Sequence, residues 1–255
     1  MIERIASKEN AKIKAAVRLR ESARERREQG RFFLEGYRLC TDAMASGYVP
    51  EILYCTDSAL QKYGIKAANT VLISEEIARK LGDTKTPQGI FGVFNAQKAG
   101  DGGPFWRPDG RYIALENVQD PGNFGAIART AEALGLSGLA ASGGCDAYHP
   151  KALRASMGAL LRLPVLLAED LPAALAGSGL PCYAAVPDRT ALPLPALSFP
   201  AGAVIAVGNE GAGLSGAVLA ACRYQITIPM PGRAESLNAA AAATIFLWEL
   251  CKKAS

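Results

Sequence analysis

The sequence predicts an α/β protein of two domains, the second organised around a parallel sheet covered by helices on both faces. Three observations lead there. Short apolar, β-rich runs alternate with stretches of helical period along most of the chain. The segment Lys98–Gly110 (KAGDGGPFWRPDG) carries four glycines and two prolines in thirteen residues, the composition of a linker. The 255 residues are 49% hydrophobic and 20% charged, a balance that lets a chain of this size bury a full core without disulfides or metal. The expected division is therefore 1–97, a linker over 98–110, and 111–255.

In the first half, Ser7-Lys8-Glu9-Asn10 reads as a helix start with Ser7 as cap. Ile13, Val17 and Leu19 then follow at near-helical spacing up to Gly30. Arg31–Glu35 is a strand, and Tyr37–Ala45 is a helix ended by Gly47. Glu51–Tyr54 and Thr70–Ile73 are strand-like, Glu75–Leu81 is a helix stopped by Gly82, and Gly89–Phe94 is another strand. Residues 1–31 hold ten Lys/Arg against five acids, a surplus of five in a chain whose net charge is +4. Such a basic front end suits a polyanionic partner. It equally suits a solvated helix face laced with ion pairs, because Glu21, Glu25 and Glu28 interleave the arginines.

The second half alternates more regularly. Strands are expected at Tyr112–Glu116, Gly138–Ala141, Val165–Leu167, Cys182–Val186, Ala203–Val207 and Gln225–Ile228. Helices are expected at Asn123–Leu134, Pro150–Leu160, Leu171–Ala176, Ser215–Ala221 and Ser236–Leu250. Ligands bind such sheets at the carboxyl ends of the strands.

Several classes of function find no support. The six cysteines (Cys40, Cys55, Cys145, Cys182, Cys222, Cys251) form no C-x-x-C pair, so no zinc or redox motif, and no metal, is expected. With no secretory signal at the start, reduced thiols in a cytoplasm are the simplest expectation. The longest strongly apolar stretch, Ala239–Trp248, is about half a membrane span. His149 is the single histidine and G-x-S-x-G is absent, which leaves little room for a serine hydrolase.

Three strand-to-helix junctions carry unusual residues. Glu116–Thr130 (ENVQDPGNFGAIART) hands the chain through Asp-Pro-Gly-Asn to a helix that Asn123 could cap, with Arg129 one and a half turns in. Ala206–Ser215 (AVGNEGAGLS) places three glycines after an apolar strand, where backbone can approach a ligand closely. Its spacing is neither the dinucleotide fingerprint nor a Walker loop, and Glu210 disfavours a bare phosphate. Ile228–Asn238 (IPMPGRAESLN) runs into an alanine-rich helix that Ser236 could cap.

These three stretches resemble, in order and spacing, the three signature motifs of the SpoU (TrmH-type) RNA 2′-O-methyltransferases of the SPOUT class. Tyr148–Gly158 (YHPKALRASMG) is similar to a fourth family segment. The resemblance implies a deep trefoil knot in the C-terminal parallel sheet and a smaller N-terminal α/β, ribosomal-protein L30e-like domain that binds RNA substrate. It implies S-adenosylmethionine held by Val207, Gly208, Asn209, Gly213, Ile228, Pro229, Met230, Leu237 and Asn238. Catalytic positions would be Arg129, Asn123, Glu210, Ser236 and Asn238, with Arg129 either the base that takes the 2′-hydroxyl proton or a grip on the target phosphate. RNA contacts would come from Lys8, Lys12, Arg18, Arg26, Arg27, Lys151 and Arg154. A homodimer is implied, acting on ribosomal RNA in preference to transfer RNA. The rival readings are a transfer-RNA 2′-O-methyltransferase, a non-catalytic RNA binder on the same fold, and methylation of a base nitrogen or a small molecule.

Overall fold

The computed structural model describes residues 2–96 and 104–252, so the expected linker lies partly outside the described residues. In chain order the first elements are β1 (Glu3–Ile5), α1 (Ala11–Glu21), α2 (Ala23–Gln29), β2 (Arg31–Glu35), α3 (Tyr37–Ala45), β3 (Pro50–Cys55), α4 (Asp57–Tyr63), β4 (Thr70–Ile73), α5 (Glu75–Leu81) and β5 (Ile90–Asn95). There follow β6 (Arg111–Glu116), α6 (Pro121–Ala133), β7 (Gly138–Ser142), α7 (Pro150–Ala155), α8 (Ala159–Arg162), β8 (Val165–Leu167) and α9 (Leu171–Ala176). The last are β9 (Cys182–Ala185), β10 (Leu192–Pro193), β11 (Ala203–Val207), α10 (Gly216–Ala221), β12 (Tyr224–Thr227) and α11 (Ala239–Cys251). The chain divides into two compact units, residues 1–102 with 148–154 and residues 103–147 with 155–255.

The first unit holds a mixed sheet in the order β1-β4-β3-β5-β2. Strands β1, β4 and β3 are parallel, and β5 runs antiparallel to β3 and β2. Helix α1 starts at Asn10 rather than Ser7, because the Asn10 side chain accepts from Lys12 N at 2.8 Å. It buries Ile13, Ala16 and Leu19 at helical spacing against Phe33, Tyr54, Ile77 and Phe91. The expected single helix breaks at Ser22, which ends α1 and caps α2 by accepting from Glu25 N at 3.2 Å.

That break corrects one expected RNA contact. Arg26 is buried, and its Nη1 donates to the Leu19 and Arg20 carbonyls at 2.6 and 3.0 Å. It satisfies the carboxyl end of α1 instead of facing solvent. Arg20 does the same for α5, donating to the carbonyls of Lys80, Leu81 and Gly82. The other basic residues lie on the surface, mostly in ion pairs: Lys8 with Glu76, Lys12 with Glu3 at 2.7 Å, and Arg18 with Glu25 at 3.9 Å. Arg27 is exposed and makes no ion pair or hydrogen bond among the described residues.

Residues 148–154, expected in the second domain, cluster with the first unit. The Tyr148 ring stacks on Phe32 with centroids 4.6 Å apart, its hydroxyl donates to the Ala96 carbonyl at 3.1 Å, and Arg154 pairs with Asp83 at 2.6 Å. His149 Nδ1 accepts from Lys151 N at 3.1 Å. The helix expected over Pro150–Leu160 is two pieces because Met157 (φ 51°) and Gly158 (φ 83°) stand in the left-handed region.

The second unit holds a seven-stranded parallel sheet in the order β10-β12-β9-β11-β6-β7-β8. All five residues of β11 (AVIAV) are buried, as a central strand covered on both faces requires. Tyr112, Ala114, Val204 and Ala206 point to one face, against Leu171 and Leu175 of α9 and Val218 of α10. Helices α6 and α11 pack on each other, α6 also on α8, and α11 against β6 and β11. From β6 the chain steps outward through β7 and β8, then crosses to build β9, β11 and β12 on the other side. The order therefore reverses between β6 and β11, where a sheet of this kind opens its ligand crevice.

Candidate active site

The three motif loops emerge on one edge of the sheet, at the carboxyl ends of the neighbouring strands β6 and β11 and of β12 beyond β9, and each is shaped by side chains that fold it onto itself. After β6, Asn117 takes a left-handed φ of 54°, and its carbonyl accepts from Asn209 Nδ2 at 2.9 Å. Gly143 is required beside it: a Cβ there would lie 2.1 Å from Asn117 Oδ1. Asp120, with Pro121 in the first turn, caps α6 by accepting from Asn123 N at 2.8 Å. The expected cap, Asn123, is corrected by that contact, and its side chain is left free to reach outward.

After β11, Asn209 Oδ1 accepts from the Gly211 and Ala212 N–H groups, both at 2.9 Å, and the Asn209 and Gly213 backbones exchange two hydrogen bonds of 3.0 Å. Buried Glu116 ties this loop to the first one by accepting from Ser215 N at 2.7 Å. After β12, the cap of α11 is Asn238 and not Ser236: its Oδ1 accepts from Ala240 N at 2.9 Å and Ala241 N at 3.3 Å.

A chain of hydrogen bonds then joins all three loops. Asn238 Nδ2 donates to Asn123 Oδ1 at 3.0 Å, Asn123 Nδ2 donates to Glu210 Oε1 at 2.9 Å, and Gln119 N donates to Glu210 Oε2 at 3.4 Å. Each asparagine uses both its donor and its acceptor, so neither can be flipped or truncated without loss. Desolvation pushes the Glu210 carboxyl up, but hydrogen bonds from Asn123 and from the backbone of residues 119, 120 and 210 outweigh it. The net direction is below the ordinary glutamate value of 4.5. A carboxyl depressed in the folded state contributes most above its unfolded pKa and loses that contribution as pH falls through the folded value. The melting temperature is therefore expected to hold to below about pH 4.5 and then to lose this contribution, and Glu210→Gln should remove that acid limb. An acid limb that survives in Glu210→Gln would assign it to another group.

Beside this chain lies a cavity of about 320 Å³ lined by Ala185, Val186 and Pro187 at the end of β9, by residues 207–211 and 213, by Thr227, Ile228, Met230 and residues 235–237, and by Ala239, Ala242 and Phe246. Of the residues expected to hold the donor, Val207, Gly208, Asn209, Gly213, Ile228, Met230 and Leu237 line it, as do Glu210 and Ser236. Pro229 lines an adjoining cavity instead. Asn123 and Asn238 are in the hydrogen-bonded chain and not in the lining, and Arg129 is exposed on α6 with no ion pair or hydrogen bond among the described residues. The wall from Ala185 to Pro187 and the patch Ala242–Phe246 were not foreseen. Their one sequence signal is that β9 ends there, on the carboxyl side of a parallel strand.

The lining suits a flat, uncharged ring next to a cation. It offers backbone and apolar faces from Ile228, Leu237 and Phe246, two carboxylates at Glu210 and Glu235, and no basic side chain. Those features fit an adenosyl sulfonium and oppose a nucleotide phosphate. Among the described residues no cluster of three His, Cys, Asp or Glu could hold a metal ion, and all six cysteines are free. No described helix is long and apolar enough to cross a membrane.

The SpoU rRNA Methylase family model matches residues 110–248, more than half of the chain and all three loops. The chain belongs to this family. An MRM3-like substrate binding domain matches residues 10–92. The chain is 30% identical over 254 residues to the 23S rRNA (guanosine(2553)-2′-O)-methyltransferase RlmP of Bacillus subtilis, covering 98% of this chain and 99% of that protein. It is 33% identical to an uncharacterized tRNA/rRNA methyltransferase of Synechocystis, covering 97% and 93%. Among solved structures, an AdoMet-bound rRNA methyltransferase from Sinorhizobium meliloti superposes with a TM-score of 0.83 at 26% identity over 98% of this chain and 97% of that one. The SpoU methyltransferase AviRb from Streptomyces viridochromogenes, in complex with AdoMet, gives 0.81 at 28% identity over 95% and 97%.

Proposed function

We propose that this protein transfers a methyl group from S-adenosylmethionine to a ribose 2′-hydroxyl of ribosomal RNA. The observation that carries the reading is the Asn238–Asn123–Glu210 chain, which holds three motif loops around a cavity that is apolar, acidic and free of cations. When bound, the donor supplies a methyl carbon already activated by its sulfonium. The residues named for it are Val207, Gly208, Asn209, Gly213, Ile228, Met230 and Leu237, with Pro229 and Asn238 in support. What the protein adds is alignment, which can contribute a large part of the rate. Asn123, Glu210, Ser236 and Asn238 hold the loops and the mouth of the cavity, and Arg129 is an uncommitted cation available to the incoming nucleotide.

RNA contacts are proposed at Arg27, Lys151 and Arg154, and at Lys8, Lys12 and Arg18, whose surface ion pairs are weak enough to exchange for phosphate. A cytoplasmic location and the threaded, knotted tail belong to the same reading. The tail is supported by the strand order, since the chain leaves β12 beyond β9 and returns to pack α11 on β11 and β6.

The test is labelled S-adenosylmethionine with 23S ribosomal RNA, followed by alkaline hydrolysis. Label in a linkage that resists alkali is the expected result. Label in an alkali-sensitive position would mean base methylation, no label would mean a pure binder, and label only with transfer RNA would move the substrate.

A homodimer is part of the proposal. Helix α11 exposes Ala241, Ile245 (39%) and Trp248 (61%) at helical spacing beside α6. The α6–α11 pair carries a Thr130–Thr244 hydroxyl contact of 3.3 Å one residue from Arg129, so a partner seated there would lie next to that cation. Trp248→Glu is expected to weaken association by about 2 kcal/mol, roughly thirtyfold in the dimer dissociation constant, read by sedimentation with an unchanged circular dichroism spectrum. A wild type that sediments as a monomer, or a variant that stays dimeric, sinks this seam.

A further inference from the structure

A second cavity of about 720 Å³ adjoins the donor pocket and shares Pro187, Thr227, Ile228, Met230 and Glu235 with it. Its remaining walls come from two stretches, residues 189–193 on the way into β10 and residues 229–234 after β12. Each contributes one arginine, Arg189 and Arg233. Both are exposed, and among the described residues neither makes an ion pair or hydrogen bond.

Apart from Arg129 on α6, the other arginines of this unit contrast with them. Arg107 donates to Ser137, Arg111 to the carbonyls of Ala201 and Cys251, Arg162 pairs with Glu132, and Arg223 lies over the Tyr224 ring. The carboxylate nearest to Arg189 in sequence is already committed: Asp188 Oδ1 accepts from Thr190 N at 2.7 Å and from Thr190 Oγ1 at 2.8 Å. Two uncommitted guanidinium groups therefore front one cavity whose proline-rich walls (Pro187, Pro193, Pro229, Pro231) have little conformational freedom to lose on binding.

We propose that Arg189 and Arg233 form a phosphodiester subsite that grips the RNA backbone next to the target nucleotide. This rests on the reading of the chain as an RNA methyltransferase. Guanidinium forks match phosphate oxygens, and contacts to phosphate fix register without reading sequence. The size argues for RNA over the donor's own carboxylate. The cavity has more than twice the volume of the donor pocket it adjoins, within the range that holds a nucleotide, whereas one carboxylate occupies a small corner and needs one arginine.

The experiment uses the full chain carrying Arg189→Glu with Arg233→Glu, and the matching double lysine variant. Filter binding to 23S ribosomal RNA is measured across salt concentrations, and S-adenosylhomocysteine affinity by calorimetry. The expected result is RNA affinity reduced about tenfold or more, a salt dependence shallower by about 0.7 for each phosphate no longer neutralised, partial recovery with lysine, and donor-analogue affinity within twofold of wild type. Loss of S-adenosylhomocysteine affinity with RNA binding intact would assign the cavity to the donor carboxylate and overturn the proposal. RNA binding and salt slope unchanged in the glutamate variant would overturn it as well. Because RNA binding is read without methyl transfer, a wild type that binds RNA through these arginines yet transfers no methyl would sink the catalytic reading and leave the subsite standing.

Discussion

Arg129→Ala is expected to lower kcat/KM for methyl transfer by about 10²–10³-fold, the loss typical of removing one donor aimed at developing charge, while S-adenosylhomocysteine binds as before. The second half of that expectation follows from position: Arg129 is exposed on α6 and is not part of the cavity wall. The first follows from its freedom, since no carboxylate or carbonyl among the described residues claims its guanidinium. Two roles compete. As the base, Arg129 would have to be neutral, and a guanidinium holds its proton too strongly to give it up near neutral pH. As a phosphate grip that also polarises the 2′-oxygen, it stays charged and needs no such shift. The grip is therefore the expected role. The pH–rate profile of Arg129→Ala should keep the wild-type shape at a lower level, with a raised KM for RNA. A wild-type rate that climbs through one ionisation, absent from the variant, would restore the base.

The place of the site was legible because a parallel sheet opens its crevice at strand ends, and Asn123, Glu210 and Asn238 each follow one. Their selection within those loops came from the resemblance to the SpoU motifs, since an asparagine before a helix also reads as a cap and glycines after a strand also read as a tight turn. What failed was the assignment of local partners. Asn123 and Ser236 look like helix caps, but Asp120 and Asn238 cap α6 and α11. Several eligible side chains stand in a row before each helix, and tertiary contacts decide among them. Arg26 could not be told from its exposed neighbours because burial of a guanidinium on carbonyls follows from the kink at Ser22, which a charge pattern does not reveal. Strands β1 and β10, of three and two residues, are too short to show a period. Helix α4, capped by Thr56, was missed in a stretch with one buried residue, Ala59, and hence no apolar stripe. The wall at Ala185–Pro187 carries no polar signal at all, and only the strand order brings it to the pocket.

Gly208→Ala should abolish donor binding, with S-adenosylhomocysteine affinity reduced at least about a hundredfold, and it is a sharper probe than any charged residue. A Cβ at Gly208 would lie 2.2 Å from Gly213 C, 2.3 Å from Gly213 O and 2.5 Å from Leu214 N, all backbone atoms that cannot swing aside. The two-way bridge between Asn209 and Gly213 would have to open, taking with it the cavity floor and the loop that presents Glu210. Forcing a methyl into such a space costs about 1–3 kcal/mol of stability, or several degrees in melting temperature for a chain of this size. Two other glycines separate space from conformation. Gly213 has nothing within 4 Å of a Cβ but stands at φ 69°, so Gly213→Ala should cost about 1–2 kcal/mol through backbone strain and weaken donor binding less. Gly232 has neither a neighbour within 4 Å nor a positive φ, and Gly232→Ala should match wild type. Calorimetric titration of the three variants should rank them Gly208→Ala, Gly213→Ala, Gly232→Ala from weakest to tightest. A Gly208→Ala protein that binds the analogue normally would mean that the loop after β11 is not the floor of the donor site, and the function proposed for the cavity would go with it.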